Sequence, residues 1–235
     1  MTAAQILSEL RPLGSDSYKR VIFKHGVVEP CFGVKISELQ KIRKRIKKDY
    51  QLALALFATG NYDAQYLAGL IADDAQMTRR DLEDWIATAN SKPIHSYVVP
   101  SVAAGGPHGW AIGLEWIDDA RESAQIAGWG TLGGVVALKP DADLDLARLK
   151  ALLQRVAKTI RQQPDRVRYA MNGFLIAVGS YVAPLTDLAI QLGEKIGPTE
   201  VDMGDTACEV PFPPDYIRKV AAMGRIGKKR KTMKC

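Results

Sequence analysis

Apolar residues in this chain recur at intervals of three and four along nearly all of its length, and that spacing limits what it can fold into. A half-buried strand needs a period of two, whereas a helix with one buried face needs 3.6. The spacing predicts helices over 50–58 ("YQLALALFA"), 61–72, 78–89, 91–104, 108–118, 121–138, 145–163, 165–182, 184–196 and 214–223. Breaks fall where glycine, proline and asparagine cluster: Gly60-Asn61, Gly105-Gly106-Pro107, Lys139-Pro140-Asp141, Gln163-Pro164-Asp165, Gly197-Pro198 and Pro213-Pro214. Thr2 with Gln5, and Ser37 with Gln40, have capping-box spacing ahead of two further helices. "SYVVPSV" and "GGVVAL" could pass as strands, but Pro100 argues against the first and its helical surroundings against the second. The expected class is all-α.

Short helices joined by short turns, in pairs roughly 30 to 40 residues apart, suit a HEAT-like solenoid. "DAQYLAGLIA", "SAQIAGWGTLGG" and "RYAMNGFLIAVG" each open a segment with small residues followed by leucine or isoleucine, as close helix packing requires. An irregular helical bundle is the plainer alternative. The expected organisation is one repeat domain over 1–223 and a basic tail over 224–235.

Charge is unevenly placed. "KIRKRIKK" carries Lys41, Arg43, Lys44, Arg45, Lys47 and Lys48, and the tail carries Arg225, Lys228, Lys229, Arg230, Lys231 and Lys234. Those twelve exceed the net charge of +6, and without them 20 basic residues face 26 acidic ones. On a helical wheel Leu39, Ile42 and Ile46 form an apolar stripe, with Lys41, Lys44, Arg45 and Lys48 opposite and Arg43 and Lys47 on the flanks. A lysine-rich face can simply be solvated, yet such faces usually interleave glutamate, and this run has no acid. A polyanionic partner would relieve the repulsion, and duplex nucleic acid is the obvious one. The tail has no apolar stripe and is expected to be mobile along a phosphate backbone.

Other chemistry is sparse. Cys31, Cys208 and Cys235 are odd in number and far apart, with no zinc spacing, which suits a reduced intracellular protein with no metal or cofactor. Cys208 reads as a core residue. The acid in "MTAAQILSEL" and its broken apolar run read as no signal peptide, and no stretch approaches the ~20 apolar residues of a membrane span. A cytoplasmic monomer is expected. His25, His95 and His108 are scattered, with His95 the best placed. Trp85 and Trp116 read as core, while Trp129 could face core or groove. "GWGTLGG" lacks the context of a phosphate loop and reads as close helix packing.

Residues 31–74, "CFGVKISELQKIRKRIKKDYQLALALFATGNYDAQYLAGLIADD", resemble the opening of the AlkD-type DNA alkylation repair proteins. These are HEAT-like-repeat alkylpurine DNA glycosylases. "DLEDWIATANS", "QIAGWGTLGGVVAL" and "VRYAMNGFLIAVGSYV" continue the match, and 202–235 look like a branch that keeps a basic tail. The resemblance implies a C-shaped solenoid whose basic concave face holds double-stranded DNA, damaged or branched duplex included. It adds Lys92 and Arg168 to the expected DNA contacts: Lys41, Arg43, Lys44, Arg45, Lys47, Lys48, Arg225, Lys228, Lys229, Arg230 and Lys231.

Active members of that family carry, after the "DxxxW" element, a tryptophan and then a catalytic aspartate four residues on. Counting from Trp85 puts these positions at Lys92 and Ser96; an expected arginine falls at Ile126, and a second aromatic wall at Gly173. All four are changed, and a one-residue slip brings up only Pro93 or His95. Glycosidic cleavage passes through an oxocarbenium-like transition state that a fixed carboxylate stabilises and an ammonium destabilises. The expectation is a DNA-binding protein with weak or no base excision. Its rivals are an active N3-/N7-alkylpurine glycosylase using non-standard residues, and a protein-interaction scaffold.

Overall fold

The computed structural model describes residues 1–234. Thirteen α-helices fill the described chain: α1 (Ala3–Leu10), α2 (Asp16–Lys24), α3 (Ile36–Ile46), α4 (Tyr50–Phe57), α5 (Tyr62–Ile71), α6 (Arg79–Thr88), α7 (Val99–Gly105), α8 (Gly109–Trp116), α9 (Glu122–Leu138), α10 (Leu146–Thr159), α11 (Asp165–Tyr181), α12 (Thr186–Ile196) and α13 (Pro213–Ala222). No strand forms among the described residues; the nearest thing is one isolated bridge between Gly14 and Val34. Both valine-rich runs are helical, as their surroundings predicted. No single helix among the described residues is long and apolar enough to cross a membrane.

Neighbours in sequence pair, α4 with α5, α6 with α7 and α8 with α9, and α5, α7, α9, α11 and α13 then pack in succession as an inner layer. Helices in that layer have neighbours on both sides, so α5 and α9 are buried round most of their circumference. Small residues allow the close approach. A Cβ on Gly128 of α9 would come within 2.7 Å of the Ile117 backbone nitrogen, and one on Gly134 within 2.6 Å of the Ala104 methyl. The glycines of "GWGTLGG" thus serve helix packing.

Side-chain caps set several of the helix starts. The Thr2–Gln5 capping box forms as its spacing predicted, and Asp49, Asn61 and Asp145 cap α4, α5 and α10. The Ser37–Gln40 box does not form. α3 begins at Ile36 with Lys35 at the N-cap and no side-chain cap. The chain ahead of it is instead held by Asp63, which is fully buried and accepts backbone hydrogen bonds from Phe32 (2.6 Å), Gly33 (3.2 Å) and Val34 (2.8 Å). Helix α2, capped by Ser15, was not anticipated; its polar sequence buries only Ile22.

The expected helix over 91–104 divides. A π-helical turn, Ile94–Val98, precedes α7, and the Val99 N–H bonds back five residues to Ile94. Pro100 is the cause: it has no N–H for the Ser96 carbonyl and its ring crowds that group, so the turn widens.

Removing the charge of Asp63 should loosen the whole N-terminal half. Asp63→Asn is expected to cost about 3 kcal/mol, because three buried N–H groups lose a charged acceptor and one meets an amide donor. That corresponds to a melting-temperature drop of roughly 6–12 °C in a chain of this size, read by thermal denaturation.

Candidate nucleic-acid interface

Lys92, Ser96, Ile126 and Gly173 come from three separate elements, and the fold brings them together on the wall of one cavity of about 330 Å³. Trp129 and Phe174 line its depth, their rings 5.1 Å apart. Trp129 is therefore both core and groove: it is 1% exposed, forms part of the cavity wall and lies under the Arg155 guanidinium. Trp85 and Trp116 are core residues, as expected. A Cβ added at Gly173 would meet nothing within 4 Å, so glycine there leaves open space where a side chain could stand. No aspartate or glutamate lines the cavity among the described residues.

Three basic groups, His25, Lys92 and Arg166, border the cavity. Tyr97 and Tyr169 share its mouth. Tyr97 stands partly exposed at the mouth, and desolvation by its neighbours, followed by the Tyr169 phenol with which it hydrogen-bonds, pushes its phenol up to about 12. Flat aromatic surface is thus present, though not at the positions the family pattern indicated. Arg166, Tyr169 and Gly173 recur at helical spacing on α11, and that stripe was available in the sequence. Arg168, the arginine chosen by resemblance, lies elsewhere. It pairs with Asp165 and lines a separate hollow with Glu200, because two residues along a helix turn it away from Arg166.

The basic run on α3 is less bare than its sequence suggests. Lys41 pairs with Glu38 (2.8 Å), Arg45 with Glu9 on α1 (2.6 Å) and Lys48 with Asp73 (3.0 Å), while Arg43 donates to the Gln40 side chain (3.1 Å). Leu39 and Ile42 are buried beneath them as the wheel predicted. Lys44 and Lys47 are exposed, with no ion pair among the described residues.

The tail corrects another expectation. Residues 225–234 run across the C-terminal ends of the inner helices and are anchored there. The Lys229 ammonium donates to the Val136 (2.9 Å) and Tyr181 (2.6 Å) carbonyls and pairs with Asp141 (2.7 Å). Gly227 N–H bonds to Ser180 O and Arg230 N–H to Ala137 O. The Lys234 ammonium, on a side chain 6% exposed, reaches Ala72 O (2.7 Å) and Asp74 (2.5 Å). The reason lies in two prolines. Val136 and Ser180 would bond the N–H groups four residues on, but those residues are Pro140 and Pro184, which have none. The tail supplies the missing donors, and its cations suit the negative ends of the helix dipoles. Lys229 is therefore a helix cap. Arg225, Lys228, Arg230 and Lys231 keep exposed side chains.

The two basic runs meet. Arg43, Lys44, Lys47 and Lys48 line one hollow together with Lys231 and Lys234. A smaller hollow shares Leu70 and Lys234 with it and shares Tyr97 and Met233 with the main cavity, so the three form a continuous track.

Remaining candidates are structural or peripheral. Burial pushes the His95 pKa down, while contacts with the backbone of Ile86 and Ser91 pull the other way. Burial and the nearby Asp63 push the Cys31 thiol up to about 12. Cys208 is exposed at the cavity rim rather than packed in the core, because it sits in the irregular segment between α12 and α13. Cys235 lies outside the described residues.

A family model described as "DNA alkylation repair enzyme" matches residues 6–198. The chain is 28% identical over 224 residues to the uncharacterised protein Lin0241 of Listeria innocua, covering 93% of this chain and 97% of that protein. The uncharacterised protein Lmo0209 of Listeria monocytogenes matches to the same extent. A solved structure is similar over 100% of both chains, with 31% identity and a TM-score of 0.91. It is described as belonging to a new family related to the HEAT-like repeat DNA glycosylases, with affinity for branched DNA structures.

Two outcomes test this assignment of roles. Lys229→Met should cost about 2–3 kcal/mol, since two carbonyls and a carboxylate lose a charged donor, whereas Lys228→Met should stay within about 0.5 kcal/mol in urea titrations. For His95 the unfolded state binds the proton first, so stability is full above the ordinary pKa of 6.5 and falls as pH drops below it. His95→Gln should flatten that part of the profile in melts from pH 7.5 to 5.

Proposed function

The chain belongs to the DNA alkylation repair enzyme family, and on that premise we propose that it binds DNA through the phosphate backbone and excises bases weakly or not at all. The observation that carries this reading is the cavity at the family's active positions. Its lining holds Lys92, Arg166 and His25 but no carboxylate among the described residues. As a glycosidic bond breaks, positive charge grows on the sugar. A serine hydroxyl at residue 96 offers no compensating charge, and an ammonium beside it raises the barrier. The same cations suit phosphates, and the adjoining track leads to six more.

Lysine and arginine contacts to phosphate position a protein without reading bases, so recognition is by charge and shape. The affinity of the similar solved protein for branched DNA structures supports a branched duplex as the preferred form. The role is exercised by a monomer among nucleic acid in the cytoplasm, without a metal or cofactor.

Fluorescence anisotropy with a labelled linear duplex and a four-way junction, over rising salt, tests the binding. Three to five phosphate contacts on the duplex give a log–log slope of roughly −3 to −5, with the junction bound more tightly. A slope near zero contradicts phosphate binding. In parallel, DNA bearing N7-methylguanine should release base at or only slightly above the spontaneous rate when the protein is added; release accelerated by orders of magnitude overturns the second half of the reading.

A further inference from the structure

We propose that the hollow between the C-terminal end of α3 and residues 231–234 is a composite phosphate site, in which one DNA phosphate is held by α3 on one side and by the tail on the other. This rests on the DNA-binding reading above and assigns it a location that neither basic run could form alone.

Charge balance is the first argument. Six cations line the hollow, Arg43, Lys44, Lys47 and Lys48 on one side and Lys231 and Lys234 on the other, and Asp74 is the one carboxylate among the lining residues. That carboxylate is already held by the nearly buried Lys234 ammonium. Lys44, Lys47 and Lys231 are exposed and have no acidic partner among the described residues. Lys48, which also lines the hollow, is paired with Asp73, and away from the hollow Lys41 and Arg45 are paired with Glu38 and Glu9. The cations of this run left without an acidic partner among the described residues, Arg43, Lys44 and Lys47, all line the hollow.

Backbone geometry is the second, independent argument. Lys47 has φ of 66°, and among the described residues it is the one non-glycine residue with positive φ. L-residues rarely adopt this conformation, and such strain tends to be kept where a site needs it. Here it ends α3 abruptly and leaves Lys47 and Lys48 at the lip of the hollow. Cations in the last turn of a helix do complement its dipole. That accounts for Arg43, Lys44 and Arg45, but neither for the strain at Lys47 nor for a tail lysine on the opposite wall.

Preorganisation is the third. Lys231 lies between two fixed points, the Arg230 N–H on Ala137 O and the Lys234 ammonium on Ala72 O and Asp74. A cation delivered by an anchored segment loses little freedom on meeting its ligand.

The test is a double-mutant cycle on the full chain, with a labelled 20-base-pair duplex as the ligand in anisotropy titrations. Lys44→Gln and Lys231→Gln should each weaken binding several-fold and reduce the salt slope by about one contact's worth, 0.9. Because both hold the same phosphate, the double variant should be no more than about twofold weaker than the worse single, with no further loss of slope. Lys150→Gln, on an exposed position of α10 lining none of these hollows, should bind as the parent does. Melting temperatures monitor folding throughout. If the two effects multiply and the slope falls twice, the cations act on separate phosphates and the composite site is overturned. If the parent binds with a steep slope that neither variant changes, this site is wrong while the DNA-binding reading survives. If the parent shows no salt-dependent binding, the DNA-binding reading itself falls.

Discussion

A carboxylate with no exposed surface must find its solvation inside the protein, and Asp63 finds it in three consecutive backbone N–H groups. Because the acceptor sits near the start of α5, the loop at 32–34 is tied to the inner layer rather than to its own neighbours in sequence. The tie is reinforced around it. Gln65 donates to the Phe57 and Thr88 carbonyls and accepts from Asn90 N–H, while Asn90 reaches Gly60 O. These buried polar groups fix how α3 leaves the loop, and so determine where its cations stand. Turned about its axis, the same helix would present the same charges to open solvent, away from the tail.

The cavity shows how a family scaffold can be kept while the side chains on its wall differ from the family pattern. Nothing in the packing of α7, α9 and α11 demands an acid at residue 96 or an aromatic at residue 173. The small residues that let those helices approach also leave a space between them. Two of the family pattern's four positions are free of packing demand, since Gly173 has open space beside it and Lys92 is exposed, whereas Ile126 is buried in the core. The charge of the cavity can change at those two positions without disturbing the core.

Much of this was legible in the sequence, and the failures have physical causes. Helix type and most boundaries follow from local periodicity and turn chemistry, which is why the valine-rich runs were read correctly despite their composition. Juxtaposition of Lys92, Ser96, Ile126 and Gly173 was reached through resemblance, not spacing, since the four lie on three elements. Arg166 was recoverable from its helical spacing with Gly173, yet Arg168 was chosen in its place. Glu38, three residues before Lys41, was within reach of a helical reading, but the partners of Arg45 and Lys48, Glu9 and Asp73, lie too far off in the chain to be read. The tail was misread for a related reason. Its partners are backbone carbonyls, which every residue has, so no pattern of side chains announces them. In the sequence Pro140 marks a turn and Pro184 falls at the start of the expected helix 184–196; their other effect, two carbonyls left without donors, becomes visible only in three dimensions.

Those two prolines also impose an order of assembly. As the polypeptide leaves the ribosome, α9 and α11 are made with their final carbonyls open, and the groups that close them lie some 45 to 90 residues downstream. Their partners are thus among the last parts of the described chain to be synthesised. A nascent or prematurely terminated product could therefore stack its helices and still lack both the closure of its inner layer and half of its positive hollow.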